Sequence, residues 1–109
     1  MGADGSFEVK RLGSDGHFAL VGELDMASAE RLREAVTAAD GRGDVILDIS
    51  QLTFVDSSGI HVFIELARNM AGERSSVILR SPSPIARRTL EIVGAAGFPG
   101  VEIEDSAPT

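Results

Sequence analysis

Apolar and polar positions along this chain fall into short blocks that predict strands and helices in turn. Two strand-like runs, 7–12 and 18–21, flank the turn-forming cluster 13–16 and predict a β-hairpin. The run 45–49 is apolar at four of its five positions, which is typical of a central strand covered on both faces. Residues 76–80 predict a further strand, and 101–103 predict a last strand at an edge of the sheet.

Between these strands, apolar residues recur at helical spacing three times. The first predicted helix follows Asp25 and ends at 40–43, and its inward positions are Ala29, Leu32, Val36 and Ala39. The second runs from about Ser57 to Ala71, with an apolar surface so wide that the helix is either mostly buried or offers an apolar strip to a partner. The third begins at 83–84 and ends before Gly94.

This alternation predicts an α/β fold: a mixed sheet of four to five strands with helices packed on it, in which an antiparallel hairpin leads into parallel βα units. A chain of 109 residues is long enough for one core and too short for two. We therefore expect a single domain over 1–109, with its core over about 7–103 and a flexible tail over 104–109.

Composition and charge exclude several classes of function. The chain has 17 acidic against 10 basic side chains, so we expect no direct contact with nucleic acid. The absence of cysteine excludes disulfides, thiolate metal sites and a cysteine nucleophile. The first residues lack the pattern of a signal peptide and no apolar run approaches 18 residues, so we expect a cytoplasmic protein with no membrane partner.

The segment Asp56-Ser57-Ser58-Gly59, between the third strand and the second helix, is where we place the function. A serine at a helix amino terminus lies among unpaired backbone N–H groups, which tolerate a phosphate. The plain interpretation is a helix cap with a spare hydroxyl. Glycine in a first helical turn costs about 1 kcal/mol relative to alanine, which suggests that backbone or a partner comes close to Gly59.

Other interpretations of these residues are possible. Asp25 could simply cap a helix, and Glu23 could be an exposed charge at a strand end. A serine nucleophile would need His61 or His17 as its base, but there is no Gly-x-Ser-x-Gly elbow and His61 points along its helix. We therefore predict no catalytic residue, and His61 is more simply a solvated residue paired with Glu65.

Cofactor chemistry has no support in the sequence. No Gly-x-Gly-x-x-Gly or Gly-Lys-Ser/Thr loop is present, and the two histidines and the carboxylates lack the spacing of metal ligands. We therefore predict no cofactor and no metal site.

Two segments precede the first two predicted helices: 20–25, Leu-Val-Gly-Glu-Leu-Asp, and 47–59, Leu-Asp-Ile-Ser-Gln-Leu-Thr-Phe-Val-Asp-Ser-Ser-Gly, which runs into the second helix. Taken together and in this order, they resemble the two signatures of the STAS domain, and specifically of the bacterial anti-sigma factor antagonists. The similarity extends from about Phe7 to Ile103, and 81–84 with 90–94 resembles the third helix of the family.

In that family the unmodified antagonist binds an anti-sigma factor that is a serine kinase, which frees a sigma factor. Phosphorylation of one serine prevents binding, and a serine phosphatase restores it. The resemblance implies that Ser57 is the phosphorylated residue and that Ser58 is not the acceptor. An alternative is a phosphorylatable STAS scaffold or sensor module in a larger signalling complex without a sigma factor.

The resemblance also implies a partner-binding surface. Asp25 and Asp56 match positions at the kinase interface, and His61 stands where the family commonly has a second glycine. The partner-binding residues that we expect are Glu23, Asp25, Asp56, Ser57, Ser58, Gly59 and His61.

Overall fold

The computed structural model describes residues 6–13, 16–38, 43–70 and 76–105. In it, strands and helices alternate as the sequence predicted. Over these residues there are five strands and three helices, together with a 3₁₀ turn at Ala95–Gly97. They are β1 (Phe7–Arg11), β2 (His17–Leu24), α1 (Met26–Ala38), β3 (Val45–Val55), α2 (Ser57–Met70), β4 (Val77–Arg80), α3 (Pro84–Val93) and β5 (Val101–Glu104).

The five strands form one mixed sheet in the order β1-β2-β3-β4-β5. β1 and β2 are antiparallel and form the predicted hairpin, with Gly13 and Gly16 both at positive φ. The other neighbouring strands are parallel. The carboxyl ends of β2, β3 and β4 therefore lie at the same end of the sheet, and the amino termini of all three helices follow there.

The core lies between one face of the sheet and the helices. Phe18, Leu47 and Leu79 lie side by side in register on β2, β3 and β4, and all three are fully buried. Helix side chains such as Leu32, Phe63 and Leu90 complete the same cluster. The opposite face, which we expected to be covered, is only half-buried, because its next row of residues is Ala19, Asp48 and Arg80.

β3 is longer than the sequence predicted, since it continues through residues 50–55, beyond the predicted run of 45–49. Two register irregularities against β2 explain the difference. They place an extra residue in β3 each time, so Ile49, Leu52 and Val55 are buried at a spacing of three instead of two. The usual alternation of a strand is therefore missing in this half.

α3 packs along the half of β3 that extends past the end of β4. Ser83 donates its backbone N–H to the carbonyl of Ile49, and the Thr89 hydroxyl donates to the carbonyl of Val55. The Ser83 side chain caps the helix, and Gly94 in the left-handed conformation ends it. Both predicted ends of this helix are confirmed.

Several predicted boundaries shift. β2 extends to Leu24, and Glu104 belongs to β5 and not to a tail. The predicted end of the second helix at Ala71, residues 40–42 of the predicted end of the first helix at 40–43, and the tail over 106–109 lie outside the described residues.

Candidate functional site

The amino ends of α1 and α2 lie side by side because β2 and β3 end together. Leu24 and Val55, the last residues of the two strands, are register partners. The next residues are Asp25 and Asp56, and the Asp56 N–H donates to the carbonyl of Leu24 at 3.2 Å. The sheet thus brings together two aspartates that are 31 positions apart in the sequence.

Asp56 is the amino-terminal cap of α2. Its Oδ1 accepts the backbone N–H of Gly59 at 3.1 Å, and its carbonyl accepts the N–H of Ile60 at 3.1 Å. Ser57 is therefore the first residue of the helix, and its side chain is exposed, whereas Ser58 is half-buried. Neither serine hydroxyl hydrogen-bonds to another residue in the part of the chain that the structure describes. Because Asp56 supplies the cap, the Ser57 hydroxyl is not needed for it.

Asp25 caps α1 through a reciprocal pair with Ser28. Its Oδ1 accepts the backbone N–H of Ser28 at 3.0 Å, and the Ser28 hydroxyl accepts the N–H of Asp25 at 2.9 Å. The Ser28 hydroxyl also donates to Oδ1 of Asp25. The bond from the Ser28 N–H, and to a lesser extent the bond from its hydroxyl, lower the pKa of Asp25. Ser28 was missed as a site residue, although the Asp-x-x-Ser spacing is the signal of such a pair.

Gly59 is buried against β2, and Leu24 is what approaches it. A Cβ atom at Gly59 would lie 2.7 Å from Cγ of Leu24 and 3.0 Å from its carbonyl oxygen. The close approach inferred from the sequence is therefore present within the chain itself. This glycine allows the first turn of α2 to pack directly on the end of β2.

A groove of about 470 Å³ separates α1 from α2 and opens beside Ser57. Its base includes the buried Ala29 and Val62. Met26, on the first turn of α1, lines it with its side chain 76% exposed, which is unusual for a large apolar residue. The residues around the groove are Met26, Ala29, Glu30, Arg33, Ser57, Ser58, His61 and Val62.

Arg33 connects the two helices along this groove. Its guanidinium donates two hydrogen bonds to Glu65 of α2, at 2.9 and 3.2 Å, and a third to Glu30 of α1. The bonds from Arg33 lower the pKa of Glu65 and raise that of Arg33 itself. Glu65 therefore pairs with Arg33 and not, as predicted, with His61.

The structure gathers most of the predicted site residues. Asp25, Asp56, Ser57 and Ser58 lie around the paired helix starts, and the exposed His61 follows one turn along α2. Glu23 is half-buried on β2 beside Phe54, and its backbone carbonyl accepts the hydroxyl of Ser28. Met26, Glu30 and Arg33 were not predicted, and the 32-residue separation of Arg33 from Glu65 left no signal in the sequence.

His17 lies at the opposite end of the sheet, at the start of β2, with its Nε2 3.5 Å from Arg80. The length of β2 puts it about 20 Å from the helix starts. Among the described residues no group of three histidine, aspartate or glutamate side chains could hold a metal ion. None of the described helices has the length and apolar character of a membrane span.

Comparisons with known proteins agree with this geometry. The family model of the STAS domain matches residues 6–107. An anti-sigma F factor antagonist of Lysinibacillus sphaericus is 33% identical over 78 residues, 69% of this chain and 67% of that protein. An anti-sigma-B factor antagonist of Listeria monocytogenes is 26% identical over 104 residues, 92% of this chain and 89% of its own length.

Solved structures share the fold. The anti-sigma factor antagonist SpoIIAA in its unphosphorylated form superposes with a TM-score of 0.73 at 22% identity, covering 94% of this chain and 89% of that one. The phosphorylated form of the Bacillus protein gives a TM-score of 0.66, also at 22% identity, with 94% and 92% coverage. By its sequence match and its fold, this chain belongs to the STAS domain family, among the anti-sigma factor antagonists.

Proposed function

We propose that this chain binds an anti-sigma factor serine kinase, thereby releases a sigma factor, and is switched off when the kinase phosphorylates Ser57. In this proposal it is a binding regulator without catalytic activity of its own, and a serine phosphatase restores it. The observation that carries the proposal is the position of Ser57: exposed, first in α2, and beside a groove between two helices.

Ser57 is better suited than Ser58 to accept a phosphate. Its side chain is exposed and Asp56 already caps the helix, so phosphorylation breaks no hydrogen bond seen in the described residues. Ser58 is one residue further into the helix and half-buried. A phosphate at the start of α2 also meets the positive end of the helix dipole, so the fold should tolerate it. That SpoIIAA, which shares this fold, has been solved in a phosphorylated form supports phosphorylation as the switch.

A single phosphate is enough to switch an interface. Phosphorylation adds about −1.5 to −2 charges. Two charges repel one partner carboxylate at about 6 Å by roughly 1 to 5 kcal/mol, for an effective dielectric between about 80 and 20. Since 1.4 kcal/mol is about tenfold in affinity, this repulsion weakens binding by at least about fivefold without any refolding.

The surface that we propose for the kinase surrounds Ser57. Asp25 and Asp56 are partly exposed at the adjoining helix starts, and Ser58 lines the groove beside Ser57. Glu23 and His61 extend this surface, and Gly59, being buried, contributes by seating α2 on Leu24. Met26 adds an exposed apolar side chain of the kind that anchors protein interfaces.

The test is to capture the kinase from the native cell with unmodified protein, add ATP and map the phosphate by peptide mass spectrometry. We expect one phosphate at Ser57 in the wild type and in the matched control Ser58→Ala, and none in Ser57→Ala. We also expect a sigma factor to be released from the kinase when the unmodified chain binds. A phosphate on Ser58, or a captured assembly that contains neither a serine kinase nor a sigma factor, would contradict the proposal.

A further inference from the structure

His61 lies one helical turn after Ser57 and lines the same groove. Residues four apart on a helix are neighbours, and helical side chains lean toward the amino terminus. The imidazole of His61 therefore leans toward the turn that carries the Ser57 hydroxyl. Both side chains are exposed, so neither must leave a packed position to meet the other.

The ring of His61 is available for a new contact, because it makes no hydrogen bond or ion pair with another described residue. Across the groove, Arg33 is already bonded to Glu30 and Glu65, which leaves His61 as the uncommitted side-chain nitrogen donor among the residues that line the groove. The charged side chains that line the groove with it are Glu30 and Arg33 on α1; on its own side Asp56 precedes α2, and Glu65 and Arg68 follow His61 by one and two helical turns.

We propose that the protonated imidazole of His61 binds the phosphate of phosphorylated Ser57, so that the switched-off form holds its own phosphate through an internal ion pair. This inference rests on the proposed phosphorylation of Ser57. It makes His61 a positioning residue for the phosphate, and it gives a reason for an imidazole at this place in α2.

Such a pair makes the phosphorylated state sensitive to pH. Phosphoserine loses its second proton near pH 6, and imidazole side chains in general titrate near pH 6.5. When two such groups meet, each favours the charged form of the other, and they titrate as a coupled pair. The phosphate is therefore most strongly held around pH 6 to 7 and is released as the imidazole loses its proton.

The test uses protein in which phosphoserine is incorporated at position 57 during translation, so no kinase is needed. The titration of both histidines is followed by proton NMR and that of the phosphate by phosphorus NMR. His17, at the far end of β2 beside Arg80, is the internal control. His61→Asn in the phosphorylated protein is the matched variant, because His61 is exposed and the change leaves the core intact.

Phosphorylation should raise the titration midpoint of His61 by about 0.5 to 1 pH units and leave that of His17 unchanged. The phosphate should titrate at a higher pH in His61→Asn than in the wild type. Equal midpoints for His61 with and without phosphate, or a phosphate that titrates identically in both proteins, would overturn the inference. These outcomes do not involve the kinase, so they are independent of whether the proposed function holds.

Discussion

At residue scale, the missing side chain of Gly59 decides how α2 meets the sheet. Leu24 is fully buried and its Cγ lies 2.7 Å from where a Cβ on Gly59 would be. The carbonyl of Leu24, at 3.0 Å from the same point, belongs to the backbone at the end of β2 and accepts the N–H of Asp56. A side chain here must therefore displace either a packed leucine or the junction that positions Ser57.

We predict that Gly59→Ala destabilises the protein. Alanine is favoured over glycine in helices by about 1 kcal/mol, but overpacking a core costs about 1 to 3 kcal/mol. The net loss should therefore be up to about 2 kcal/mol, measured by chemical denaturation. Gly97→Ala is the matched control, because a Cβ there meets nothing within 4 Å. A Gly59→Ala protein more stable than the wild type would show that the Leu24 side chain can move aside at no cost in stability.

At the scale of elements, α1 and α2 begin with different caps. Asp56 accepts one backbone N–H, whereas Asp25 and Ser28 exchange hydrogen bonds in both directions. The hydrogen bonds that the Asp25 carboxylate accepts from the backbone N–H and then from the hydroxyl of Ser28 lower the pKa of Asp25. A carboxylate whose pKa is lower in the folded than in the unfolded protein contributes stability above its unfolded pKa, near 3.9, and this contribution disappears as the pH falls through the folded value.

We therefore predict that Asp25→Asn, which keeps a capping oxygen but removes the charge, melts below the wild type at pH 7. The difference should shrink as the pH falls below about 4 and vanish once Asp25 is protonated in both states. Melting curves from pH 7 to pH 2 measure this, with Glu102→Gln on the exposed side of β5 as the control. A difference that stayed constant over the whole range would mean that the charge of Asp25 does not contribute.

Most elements could be predicted because their signals are local. The Gly13 and Gly16 turn, the Ser83 cap and the Gly94 stop each depend on a few neighbouring residues. The second half of β3 could not be predicted. Every third residue is buried there because of irregularities in the pairing with β2. The exposed residues of this half make contacts with distant parts of the chain, such as the hydrogen bond from the Thr53 hydroxyl to the carbonyl of Gly22.

At the scale of the whole molecule, parallel pairing turns separate sequence signals into one site. The motif at Ser57 and the cap at Asp25 were visible in the sequence, and the shared end of β2 and β3 makes them adjacent. The groove between them was not visible. It is lined by Arg33 of α1, which hydrogen-bonds to Glu65 of α2, and by the exposed Met26. Helical periodicity specifies neither the contact between the helices nor the exposure of Met26.

The most direct test of the account is the affinity of the anti-sigma factor kinase for four forms of this chain, measured by titration with melting curves recorded alongside. Unmodified protein and Ser57→Ala should both bind tightly, because a methyl group leaves the docking surface uncharged, and Ser57→Ala should keep its fold because Asp56 and not Ser57 caps α2. Ser57→Asp should bind more weakly, and protein with phosphoserine at position 57 should bind at least about fivefold more weakly than the unmodified form. All four should unfold at similar temperatures. If the phosphorylated form bound as tightly as the unmodified one, or lost binding only because it had unfolded, a local electrostatic switch at Ser57 would be contradicted.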